Sequence, residues 1–87
     1  MKLKGEFILR EIADEYILIP VGETALDLNG IISLNPVSAE IWKDVQSGKS
    51  REEMLANLLE HFEVTEEVAK QDLDEFLQQL QSAGFLG

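Results

Sequence analysis

Any chemistry in this chain has to start from one histidine, His61, and seventeen aspartates and glutamates, because there is no cysteine. That removes thiolate nucleophiles, thiolate metal sites and disulfides together. A catalytic triad needs a nucleophile held against a histidine that a third group orients, and a zinc site would have to be completed around a single imidazole. His61 stands beside Phe62 at the end of a helical pattern and reads as a surface or capping residue. The adjacent acids Glu52/Glu53, Glu66/Glu67 and Asp74/Glu75 raise the question of acid–base catalysis, which requires carboxylates desolvated in a cleft. Neighbouring residues on a helix point in different directions, so these pairs read as solvated charge. Gly5, Gly22, Gly30, Gly48, Gly84 and Gly87 stand singly, with no phosphate-cradling loop among them. No catalytic residue, metal ligand or cofactor is assigned, and the chain is expected not to be an enzyme.

Binding of nucleic acid is the next class to weigh. Two helices joined by the short Glu63-Val64 segment, beside a strand pair, would make a winged helix-turn-helix. The would-be recognition helix carries Glu66, Glu67, Asp72, Asp74 and Glu75 against one base, Lys70, and the whole chain has a formal net charge of −10. Counterion release demands the opposite sign, so neither nucleic acid nor an anionic membrane surface is expected as a partner. An acyl carrier is also small, acidic and helical, but no Asp-Ser-Leu attachment triplet occurs and the first third reads as strands.

The elements that would position a binding site follow from periodicity. Residues 7–12 and 16–21 are rich in β-branched and aromatic side chains and are parted by Asp14-Glu15, so they pair as strands, with Pro20 closing the second or lying at its edge. Residues 25–28 and 31–34 flank Asn29-Gly30, the dipeptide suited to a type I′ turn, which predicts a further hairpin. Asn35-Pro36 then supplies an N-cap and a proline at the first helical position. Val37, Ala39, Ile41, Trp42 and Val45 form the apolar stripe of this first helix, which Ser47-Gly48 ends. Ser50 and Glu53 have the spacing of a capping box, and Met54, Leu55, Leu58, Leu59 and Phe62 form the buried face of a second helix. Thr65 caps the third and longest helix, whose stripe is Ala69, Leu73, Phe76, Leu80 and Ala83, broadened by Val68 and Leu77.

The expected architecture is therefore α+β: a small N-terminal antiparallel sheet of three strands followed by three helices, winged helix-turn-helix-like. Eighty-seven residues with no linker or repeat support one domain, residues 1–87. A hydrophobic share of 45% against 28% charged residues is enough to fold it despite the acidity. The N-terminal stretch lacks the apolar run of a signal peptide, and no segment reaches the length of a spanning helix. A cytoplasmic protein is the expectation.

From Leu26 onward, Leu28-Asn29-Gly30-Ile31-Ile32-Ser33-Leu34-Asn35 leads into Ala39-Glu40-Ile41-Trp42, followed by a Gly48-Lys49-Ser50 turn with Arg51-Glu52-Glu53, the block Asp72-Leu73-Asp74-Glu75-Phe76-Leu77, and Ala83-Gly84-Phe85-Leu86. In that order and spacing these motifs resemble the PqqD-like family of RiPP recognition elements. Pro36-Val37-Ser38 departs from a Thr-Gly pair frequent in relatives, and Asp44-Val45 from paired leucines. Both leave the caps and the apolar stripe intact.

The resemblance implies a winged helix-turn-helix that has exchanged DNA for peptide and takes a leader segment as an added strand along its third strand, with the third helix closing the groove. It implies no cofactor. The implied partners are a ribosomally made precursor peptide and its modifying enzyme, often a radical SAM protein. The residues expected to meet the peptide are Ile31, Ile32, Ser33 and Leu34 on the strand, with Asp72, Phe76 and Gln79 along one row of the helix. Alternation allows only half of the strand to face a groove, and Phe76 reads equally well as core. The chain is expected to be a monomer or a weak homodimer. The alternative is a protein-docking or regulatory module of a biosynthetic complex that binds no leader peptide.

Overall fold

The computed structural model describes residues 3–27 and 32–86, apart from the side chains of residues 26 and 27. Seven elements follow in order: β1 (Glu6–Ile12), β2 (Glu15–Val21), the single-turn α1 (Thr24–Asp27), β3 (Ile32–Leu34), α2 (Pro36–Gln46), α3 (Arg51–His61) and α4 (Glu66–Ser82). The predicted first, second and third helices are thus α2, α3 and α4. The sheet is antiparallel with the order β1-β2-β3, so β2 is central and β1 and β3 are edges.

Alternation divides the sheet into two faces. Phe7, Leu9, Tyr16, Leu18, Ile32 and Leu34 face the helices and join the core, with Leu18 completely buried. The outer face carries Ile8 opposite Ile19 and Arg10 opposite Ile17, and Ile8 and Ile12 stay exposed. A two-residue turn at Ala13-Asp14 links β1 to β2. Ala13 has φ 57°, the positive value that a primed hairpin turn demands at its first central position.

The expected hairpin about Asn29-Gly30 is not how the third strand is attached. Residues 28–31 lie outside the described residues, and residues 25–27, read from the sequence as a strand, belong to α1. Thr24 explains the difference. Its side chain is buried and its Oγ1 accepts the Glu6 backbone N–H at 2.7 Å, which ties the chain to the start of β1 as a helical turn. The third strand pairs instead with β2, through Tyr16 to Leu34, Ile17 to Ser33 and Leu18 to Ile32. Pro20 lies inside β2, beyond the reach of that short ladder, so its missing N–H costs no bond to β3.

The helices start as their caps dictate. Asn35 Oδ1 accepts the Ser38 amide at 2.8 Å with Pro36 at the first helical position, Ser50 and Glu53 form the reciprocal capping box, and Thr65 Oγ1 accepts the Val68 amide. Trp42, Ile41, Met54, Leu58, Leu73 and Leu80 are fully buried, so three helical stripes meet the inner sheet face in one core. Two residues depart from the predicted stripes: Leu59 is 39% exposed and Val68 is 44% exposed, because both lie just outside the arc that touches neighbouring elements. After α4 the chain returns to the sheet. Phe85 is buried against Phe7, its carbonyl accepts the Lys4 amide at 2.8 Å, and Leu86 bridges to Leu3.

Candidate functional site

Asn35 is the residue that makes a site from two elements. It follows β3 directly and caps α2, so the end of the edge strand and the first turn of a helix share one place. Asn35, Val37 and Ser38 form one wall of a cleft of about 200 Å3, and Asp72, Glu75, Phe76 and Gln79 on α4 form the other. The α4 residues share a wall because positions 72, 75, 76 and 79 recur at three- and four-residue spacing. Their counterparts Ala69, Leu73 and Leu80, together with Phe76 itself, point into the core and anchor the helix.

The third strand, β3, ends at this cleft and has an outer side facing away from β2. Among the described residues no strand pairs there. In an antiparallel ladder successive residues direct their backbone groups alternately to the two sides, so part of this three-residue strand offers N–H and C=O groups away from β2.

The residues singled out from the sequence fall into three groups. Asp72, Phe76 and Gln79 come together in the cleft. Ile32 and Leu34 direct their side chains to the core and Ser33 is exposed on the opposite face, so these three contribute backbone and not cleft lining. Ile31 lies outside the described residues. Phe76 joins the two readings offered for it: the ring is 4% exposed and belongs to the core, and its remaining edge forms part of the cleft wall.

Sequence reasoning missed Asn35, Val37, Ser38 and Glu75. Glu75 was within reach, being three residues from Asp72 and four from Gln79. The first turn of α2 was not, since only the docking of α2 against α4 brings it opposite.

Charge around the cleft is unevenly compensated. Arg51 bonds Asp74 with two contacts of 2.8 Å, tying the start of α3 to the middle of α4, and this fork holds the Asp74 carboxyl below the ordinary carboxylate range. The Ser50 backbone N–H, then the Ser50 hydroxyl, lower Glu53 in the same sense. Lys70 pairs with Glu66, and Lys49 with the buried Asp44, which also accepts a bond of 2.9 Å from the Asn57 amide. Asp72 and Glu75 take part in none of the ion pairs among the described residues; Glu75 accepts only a neutral amide bond from Gln71 at 3.2 Å.

The cleft lining contains neither His61 nor any other imidazole, and no cluster of three or more metal-ligating side chains occurs among the described residues. His61 is exposed and its Nδ1 lies 2.9 Å from the Asn57 carbonyl oxygen. The other acids noted as candidate pairs, Glu52/Glu53, Glu66/Glu67 and Asp74, are exposed on helix faces. No helix among the described residues is long and apolar enough to cross a membrane.

A cleft between the start of one helix and the row of another, at the end of a strand whose outer edge is unpaired among the described residues, is a geometry for holding an extended chain. No curated protein matches the sequence. A solved structure described as TbiB1 in complex with the TbiA(beta) leader peptide matches the fold with a TM-score of 0.76 at 24% identity, over 99% of this chain and 94% of that one. The family model for coenzyme PQQ synthesis protein D (PqqD) matches residues 15–86, from the start of β2 to the C-terminal bridge, and the chain belongs to that family.

Proposed function

We propose that this protein is a non-catalytic module that binds the leader segment of a ribosomally synthesised precursor peptide and presents it to a modifying enzyme, such as a radical SAM protein. The observation that carries the reading is the outer edge of β3, unpaired among the described residues, with Asn35 at the end of that strand forming part of the wall of the α2–α4 cleft. Family membership and the leader-peptide complex of the structural neighbour support it. A leader lying along this edge would pair through its backbone with residues Ile32, Ser33 and Leu34, and its alternate side chains would meet Asp72, Phe76 and Gln79. Ile31, outside the described residues, is proposed to meet the peptide as well.

The size of the edge limits what the backbone can contribute. Three strand residues offer two to four outward groups, about 1 kcal/mol net for each bond, which alone corresponds to millimolar binding or weaker. Micromolar affinity needs about 8 kcal/mol, so the side chains in the cleft must supply half of it or more. Such affinity suits delivery: holding the leader raises the effective concentration of the attached core peptide at the enzyme.

Synthetic peptides covering short open reading frames adjacent to this chain's gene, titrated into isotopically labelled protein, test the reading. Amide shifts at Ile32, Ser33 and Leu34 and along α4 from Asp72 to Gln79 are expected at micromolar peptide. An unchanged spectrum at high micromolar peptide overturns it. Trp42 is a poor optical reporter because it is fully buried against Phe7, away from the cleft lining.

A second reading, a docking module indifferent to leader peptide, draws on Ile8 and Ile12, which are 42% and 55% exposed on the outer sheet face. It expects the modifying enzyme to be retained equally with and without precursor peptide, and to be lost on Ile8→Asp. A monomer or weak homodimer fits both readings, since β1 is a second edge that a copy could pair with.

A further inference from the structure

The side chain that fills the cleft can be assigned a chemical class. Phe76 is already 4% exposed, so an incoming apolar residue gains little by covering it, and Val37 is the other apolar wall. The remaining lining is polar, with two carboxylates, Asp72 and Glu75, three residues apart on one face of α4. Among the described residues neither has a basic partner, whereas the three ion pairs that do form use Asp44, Asp74 and Glu66.

One opposing contribution has to be weighed. The start of α2 borders the same cleft, and a helix N-terminus carries about half a positive charge. Here two of its free amides are already accounted for: Pro36 has no N–H, and Asn35 Oδ1 takes the Ser38 amide. Two full carboxylates outweigh what is left. The cleft is therefore electronegative, and the net charge of −10 steers basic segments toward the molecule as a whole.

We propose that the cleft selects an extended peptide carrying a lysine or arginine at the position lying between Asp72 and Glu75, a selectivity that rests on the peptide-binding reading above. The basic head would bond both carboxylates and the side-chain amide oxygen of Gln79, while its aliphatic stem lies against the edge of Phe76 and Val37. A cleft of about 200 Å3 has room for such a side chain. The cleft thereby sets the register of the peptide on the strand edge as well as its charge.

A random 12-residue peptide display library, selected in parallel against the wild-type protein and the double variant Asp72→Asn/Glu75→Gln, tests this. Peptides enriched by the wild type, and shifting the amides of Ile32 to Leu34, are expected to share a Lys or Arg at one position. Neutralising the two acids is expected to weaken these peptides about tenfold, and replacing their basic residue by alanine to weaken them similarly, with little further loss when both changes are combined. Raising salt to 0.5 M should weaken wild-type binding more than binding to the variant. Melting by circular dichroism verifies that the double variant is folded. Binders that shift the strand amides but share no basic residue, or whose affinity ignores the double substitution, overturn the charge assignment and leave the groove standing. A library with no binder that shifts those amides overturns both.

Discussion

Gly5 holds φ at +102°, and a Cβ there would strike the Thr24 side chain, whose Oγ1 already accepts the Glu6 amide. Two requirements, a left-handed backbone and a close approach, thus converge on one residue and fix how α1 rests on the start of β1. Gly5→Ala is expected to destabilise the protein by about 2 kcal/mol in urea denaturation, because both the backbone and the Thr24 bond must give way. Ala13 also has a positive φ, but it stands in an exposed turn and touches no such constraint. The sequence marks Gly5 only as an isolated glycine, since nothing in residues 2–6 reveals that Thr24 lies above it.

At the level of elements, the helices are the legible part and their contacts are the hidden part. Asn35, Ser50 and Thr65 announce three helix starts through spacing that is local and self-contained. The Arg51–Asp74 fork is not local, since the two residues meet only because α3 packs on α4. Its acid dependence has a definite sign. A carboxylate with a lowered folded-state pKa contributes stability that is complete above the unfolded value, about 4, and is lost as pH falls through the lower folded value. Asp74 and Glu53 both act in this direction, while Arg51, raised by the same pair, stays charged throughout. The Asp74→Asn variant is accordingly expected to lose less stability than the wild type between about pH 4 and pH 2, measured by thermal melts across that range. Both acids lie at the surface, so the difference is small and shrinks further in high salt.

For the whole molecule, the returning C-terminus closes the fold. Phe85 packs on Phe7, Phe7 meets the Trp42 ring edge-on at 5.3 Å, and Leu86 bridges to Leu3, so the first and last strand-like residues seal the end of the core over α2. Phe85→Ala removes a side chain that is 4% exposed and is expected to cost 3–5 kcal/mol, the range for large aromatic truncations, read from the shift of the urea midpoint. Because this seal lies apart from the residues that line the α2–α4 cleft, the proposed peptide affinity of the folded fraction should be unchanged in the same variant.

The sequence alone determined what short-range physics controls. Apolar periodicity and capping gave the three main helices and the first two strands, the absence of cysteine and the single histidine narrowed the chemistry, and the charge spoke against nucleic acid. The three- and four-residue spacing of Asp72, Phe76 and Gln79 placed them on one row before any partner element was known. Tertiary structure decided which surfaces face one another. Only docking could show that Ala25 follows a buried threonine into a helical turn, that β3 pairs with β2 and leaves its other side unpaired among the described residues, and that the capped start of α2 stands across from Glu75. The physical reason is range: a cap or a stripe is encoded within a few residues of itself, whereas a cleft exists between segments that meet only after the core has closed.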